Sequence, residues 1–216
     1  AGTGDDYVYA GGGDDEVYGG EGNDIIIGEE GYDYIEGGVG DDNLEGDASW
    51  VASDEQGNDY IDGGSGNDKI WGGGGSDDLF GGDGNDEIFG NSGDDIMIGG
   101  TGDDTYHIND IGDIVFENAN EGTDIVYIYT DGVIVPENVE VSIIQGSVVR
   151  TIGNDSDNVI QGSSSANQIT GNAGCDNLIG LEGNDILEGG NDNDILRGGD
   201  GDDTLFGGDG NDKIYG

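Results

Sequence analysis

One large apolar residue returns at every ninth position through most of the chain, preceded in most copies by a run of Gly and Asp. Val8, Val17, Ile26, Ile35 and Leu44 open the series, Ile88, Met97 and Tyr106 carry it on, and a second series runs from Ile160 to Ile214. Side chains alternate along an extended segment, so a residue at the centre of three points inward while its neighbours face water. The pattern predicts a short strand at positions seven to nine of a unit GGxGxDxUx, in which U is the apolar residue. A strict period of this length is the mark of a solenoid. The chain therefore reads as all-β, with two units per coil and a strand on each side.

The eighteen copies fall into two blocks. Eleven occupy residues 1–107, interrupted inside the sixth copy by an insertion at 49–56, and seven occupy 153–216, the first two of them degenerate. Clean copies read GGEGNDIII from Gly19, GGDGNDEIF from Gly81 and GGDGNDKIY from Gly207. Glycine at positions one, two and four predicts turning backbone with φ > 0, and the Asn or Asp that dominates position five tolerates the αL conformation best after Gly. Between the blocks, 108–152 carries β-branched runs at Ile114 to Phe116, Ile125 to Ile128, Val133 to Val135 and Val139 to Ile144, which predict strands. So short a spacer makes a poor independent core, and it is expected to continue the coil with longer loops.

Charge decides what must hold such a coil together. Fifty acids stand against four Lys and Arg, giving a formal charge of -46. One inward column is a thin core to set against the entropy of ordering the chain, and crowded carboxylates oppose compaction further. A multivalent cation answers both deficits. Position six supplies the ligands: Asp6, Asp15, Asp24, Asp33, Asp42, Asp59, Asp68, Asp77, Asp86, Asp95 and Asp104 in the first block, and Asp176, Asp185, Asp194, Asp203 and Asp212 in the second. Carboxylates and turn carbonyls are hard oxygen donors, and a flexible array of them suits Ca²⁺ better than the tightly octahedral Mg²⁺. Turns on one side belong to copies two apart, so ions are expected between Asp6 and Asp24, Asp24 and Asp42, Asp68 and Asp86, Asp15 and Asp33, Asp77 and Asp95, and in the second block Asp176 and Asp194, Asp194 and Asp212, and Asp185 and Asp203. The insertion is expected to displace the turn at Asp59 and so to weaken its pairing with Asp33 and Asp77. About ten ions in all is the resulting expectation.

With these residues in view, the chain resembles the RTX, or hemolysin-type calcium-binding, proteins, whose signature is GGxGxDxUx. The likeness covers about three quarters of the sequence, and the spacer is similar more loosely, through Asp104-Thr105-Tyr106, the DIVFE at Asp113, the GTDIV at Gly122 and Asn138-Val139-Glu140. The resemblance implies a parallel β-roll with Ca²⁺ between successive same-side turns, export through type I secretion machinery, and folding on meeting calcium outside the cell. It further implies a module of a larger secreted or cell-surface protein, partnered by that protein's neighbouring domains. An accessory module of an RTX lipase, protease or polysaccharide epimerase, or an adhesin stalk, is the alternative. The chain departs from the signature where Asn158 and Asn167 replace the position-six Asp and Ser156 and Ser165 the Gly. The coil is expected to run through 153–170 without a strong ion site.

The remaining residues offer little competing chemistry. His107, the single histidine, takes an outward strand position and reads as a surface residue; Cys175 has no partner and reads as a free thiol. No HExxH, GxSxG or nucleophile with a base beside it is present, so the segment is read as non-enzymatic. The acidic charge disfavours nucleic acid, and no apolar run is long enough for a membrane span. Outward aromatics should form ladders, Trp71 beside Phe89 and Tyr34 beside Tyr60, that support cross-strand packing or offer a platform for carbohydrate. Trp50, in the insertion, is expected to pack back onto the roll or to make a docking contact.

Overall fold

In the computed structural model, which describes residues 2–53 and 55–216, every regular element is a strand and every pairing between strands is parallel. Ala1, where the first copy starts, and Asp54, inside the insertion, lie outside the described residues. The chain forms two units, Ala1–Gly122 and Thr123–Gly216. Each is a parallel β-roll in which successive strands alternate between two sheets. In the first unit Tyr60–Ser65 pairs with Asp78–Asp83, placing Ile61 opposite Leu79, while Lys69–Gly74 pairs with Glu87–Ser92, placing Ile70 opposite Ile88. The second unit repeats this arrangement, with Leu178 opposite Leu196 and Leu187 opposite Leu205.

The strands are longer than the three residues expected from the apolar spacing. Most run six residues, from position seven through position three of the next copy, as in Tyr34–Val39 and Ile96–Thr101. Position two bends without leaving the sheet because its residue takes positive φ, 114° at Gly38 and 115° at Gly82. Glycine does this at no steric cost; Leu181 takes the same place with φ 82°, a conformation costly for a side chain of its size. Position one does not turn with positive φ, and neither does the Asn or Asp of position five. That residue instead ties coils together: the N–H of Asn85 donates to Oδ1 of Asn67 at 2.9 Å, and that of Ser76 to Oδ1 of Asn58 at 2.8 Å.

Position eight fills the interior, from Ile26 to Tyr106 in the first unit and from Ile160 to Leu196 in the second, all with no exposed surface. The terminal coils are less covered, and Ile214 is 49% exposed. On the outer face Tyr34 and Tyr60 stack at 4.9 Å with rings 4° apart, and Tyr18 and Phe80 extend the column. Tyr34 and Tyr60 turn their ring faces toward one another, so this pair stabilises the coils and leaves little face for a sugar. The opposite sheet carries Trp71, Phe89 and His107, stacked at 5.5 and 3.8 Å. This stack buries His107 to 8% exposure, correcting its expected surface placement.

The spacer's strands join the ladders of each unit. Ile114–Phe116 pairs with Ile96–Thr101 in the first, while Val141–Ile144 and Arg150–Ile152 pair with Val159–Gln161 and Gln168–Asn172 in the second. Ile125–Ile128 is a strand as expected, Val133–Ile134 is shorter by one residue, and the run from Val139 becomes extended only at Val141. The insertion leaves after buried Ala48 and returns at Gln56, which bridges Gly31. Trp50 stays 64% exposed, its ring 6.4 Å from that of Tyr9.

Candidate metal centres

The position-six Asp sit where turns close over the end of the apolar column, and in the stacked coils one oxygen of each is already committed. The N–H of Asp24 donates to Oδ1 of Asp42 at 2.7 Å, that of Asp42 to Asp68 at 2.7 Å, and that of Asp68 to Asp86 at 2.7 Å. On the other side Asp15, Asp33, Asp59 and Asp77 donate in the same way to Asp33, Asp59, Asp77 and Asp95, at 2.8 to 2.9 Å. Asp59 therefore keeps register with Asp33 and Asp77, and the expected displacement does not occur. In the second unit Asp176, Asp185 and Asp194 pair with Asp194, Asp203 and Asp212.

The second oxygen has no such partner. Oδ2 of Asp24, Asp33, Asp42, Asp59, Asp68, Asp77, Asp86, Asp95, Asp176, Asp185 and Asp194 is buried without a hydrogen bond. Asp6, Asp15, Asp203 and Asp212, in the outer coils, are half-buried. Position one explains what surrounds the buried oxygens. A Cβ built on Gly63 would meet both Oδ2 of Asp68 and the carbonyl oxygen of Gly81 within 3.0 Å, and Gly19, Gly37, Gly171 and Gly180 repeat this cradle in their own turns. Glycine is needed here for space. The donors that converge are carboxylate and main-chain oxygen only, which fits Ca²⁺.

Burial without a counter-charge is costly for these groups. Desolvation, eased by the N–H each accepts, lifts Asp33, Asp42, Asp86, Asp95 and Asp176 from 3.8 to about 6, and Asp68 and Asp77 to about 7. Burial, with Asp77, Asp47 and Asp33 adding repulsion, pushes Asp59 up to about 8. Lys69, the only Lys or Arg of the first unit, is held on the outer face by Glu87. Where Asn replaces Asp the deficit is absent. Nδ2 of Asn158 donates to Oδ1 of Asn154 at 2.9 Å and Nδ2 of Asn167 to the carbonyl of Val148 at 2.8 Å. These two coils close with hydrogen bonds where the others present bare carboxylate.

The columns also include residues outside the repeats. The N–H of Asp95 donates to Oδ1 of Asp113, whose Oδ2 accepts from Asn109 and Asp110, so Asp113 ends its column as a cap. Glu140 accepts from the N–H of Asp124 at 2.8 Å and occupies the column below Asn158. Their signal is the 18-residue offset that links Asp95 to Asp113 and Glu140 to Asn158.

Gly63→Ala tests the cradle without forcing a side chain into the left-handed region, since φ at Gly63 is not positive. The added methyl is expected to remove one ion from a calorimetric count and raise the calcium midpoint of folding, whereas Gly2→Ala, with nothing within 4 Å of its Cβ, should leave both unchanged. Equal behaviour of the two variants would place the ion elsewhere.

The sequence profile of the RTX calcium-binding nonapeptide repeat, four copies long, matches residues 1–26, 18–49, 53–88, 71–106, 152–187 and 188–216. No individual curated protein matches the chain. No helix among the described residues is long and apolar enough to cross a membrane. Repeats, parallel rolls and Asp columns agree with that profile over most of the length: the chain belongs to the RTX calcium-binding repeat family.

Proposed function

We propose that the chain is a calcium-driven folding module of a larger exported protein: extended in a calcium-poor cytosol, and folded on reaching calcium outside the cell after type I secretion. The observation that carries this reading is the set of buried Oδ2 atoms without hydrogen bonds. A fold that buries so many bare carboxylates is poorly stable alone. Bound Ca²⁺ supplies positive charge and accepts oxygen ligands at those places. The chain's own residues do the rest: position-six N–H groups orient each carboxylate, position-one glycines keep the space open, and the apolar column excludes water from one side. Free energy of binding then becomes free energy of folding. Site affinities of about 10⁻⁴ to 10⁻³ M, usual for extracellular modules, would keep it unfolded inside and folded outside. The folded module would serve as a rigid support for neighbouring domains, with no reaction of its own.

The test is titration of the metal-free chain with CaCl₂ and separately with MgCl₂, followed by far-UV circular dichroism and calorimetry. A cooperative gain of β signal with calcium alone, at about ten ions, is expected. Full structure in chelator, or an equal response to magnesium, would refute the reading.

A further inference from the structure

The insertion interrupts a copy whose position-two residue is an acid, Asp47. Asp47 is 3% exposed, and its two oxygens differ. Oδ2 accepts the N–H of Gly57 at 3.2 Å and of Gly74 at 3.3 Å. In the neighbouring uninterrupted copies the position-four N–H goes to a main-chain carbonyl, as from Gly66 to Asp83 and from Gly75 to Ser92. One oxygen thus mends the ladder the insertion breaks, which also fixes the carboxylate's orientation. Oδ1 is left buried with no hydrogen-bond partner.

Asp47 lines a cavity of about 270 Å³ together with Glu45, Ser49, Gln56, Trp71 and Asn91. No Lys or Arg is among these residues. The groups available are two carboxylates, a hydroxyl and side-chain amides, a hard-oxygen set without His or Cys. Glu45 holds position nine and Asp47 position two, so neither belongs to the position-six columns.

We propose that the insertion builds a separate cation site, in which Oδ1 of Asp47 and the Glu45 carboxylate hold a divalent hard cation that keeps several of its waters. The volume suits a hydrated ion better than a bare one. Calcium is the cation expected to fill it in an extracellular setting. The bound ion fastens the insertion to the coil, where Trp50 and Trp71, the chain's two tryptophans, both lie close to it in sequence or in space.

Those tryptophans supply the readout. The folded, calcium-loaded chain is titrated with terbium(III), exciting at the red edge of tryptophan absorption where tyrosine does not absorb, and the ion is then displaced with CaCl₂. The expected result is tryptophan-sensitised terbium emission that calcium reverses, with most of it lost in Asp47→Asn and in Glu45→Gln, and one fewer ion counted by calorimetry. Glu45→Gln keeps the side-chain shape and an acceptor for the Ser49 N–H, so it decides the matter if Asp47→Asn fails to fold. Emission and ion count unchanged in a folded Glu45→Gln chain would overturn the site. The calcium-driven folding proposed above is read independently by circular dichroism, and a chain folded without calcium would still report on this cavity.

Discussion

Replacing Asp33, Asp59, Asp77 and Asp95 together by Asn is expected to give a chain whose first unit keeps most of its β signal in chelator, where the unaltered chain loses it. The four residues form one column, linked N–H to Oδ1. Asn preserves that oxygen and exchanges Oδ2, the atom without a hydrogen bond, for a donor facing the position-one carbonyls. Asn158 and Asn167 already close their turns with hydrogen bonds of their own, Nδ2 donating to Oδ1 of Asn154 and to the carbonyl of Val148. The gain is large because the carboxylates are costly to ionise where they sit. For Asp59, raised from 3.8 to about 8, the burden at neutral pH is on the order of 4 kcal/mol at about 1.4 kcal/mol per unit. The same variant should lose the ions of that column, roughly halving the calorimetric count of the first unit. Circular dichroism in chelator and calorimetry check the two halves of the expectation. A variant that needs as much calcium as the unaltered chain would show that the carboxylates are not what keeps the metal-free fold from forming.

The repeat made the coil legible, because a nine-residue period fixes which residue points inward and which Asp share a side. What it hid lies between coils. Position five reads as a turn residue within one copy, yet Asn67 acts on Asn85, a partner one coil away. His107 reads as outward and exposed until Phe89 is placed beside it by parallel register. Insertion length misled in another way: Asp33 and Asp59 are separated by 26 residues, the regular 18 of their neighbours plus the eight inserted, yet their pairing in the column is preserved. Asp113 was hidden by its place in the spacer, where no glycine pattern marks a turn, although its 18-residue offset from Asp95 carried the information. Asp47 breaks the glycine pattern itself, and only the fold shows that its carboxylate replaces a main-chain acceptor.

Acidification of the metal-free chain should build structure. Groups whose folded pKa is raised stabilise the fold fully below their unfolded value and lose that contribution as pH rises through the folded value. For the columns this loss begins near the unfolded value and is complete only above about 6 at Asp33, Asp42, Asp86, Asp95 and Asp176, about 7 at Asp68 and Asp77, and about 8 at Asp59. A chain stripped of metal and taken from about pH 8.5 to about pH 5 is therefore expected to gain β signal, the reverse of ordinary acid denaturation. The calcium-loaded chain should stay folded at the alkaline end and release ions as protons compete for the same oxygens, so the two curves converge in acid. Relief of the overall charge of -46 also favours compaction as pH falls, but exposed carboxylates titrate near 4. The four-Asn column separates the causes. If desolvated Asp carboxylates drive the transition, that variant should lose much of its pH dependence above about 5, where unperturbed carboxylates are already ionised. An undiminished transition in the variant would assign the effect to net charge and remove the columns from the explanation.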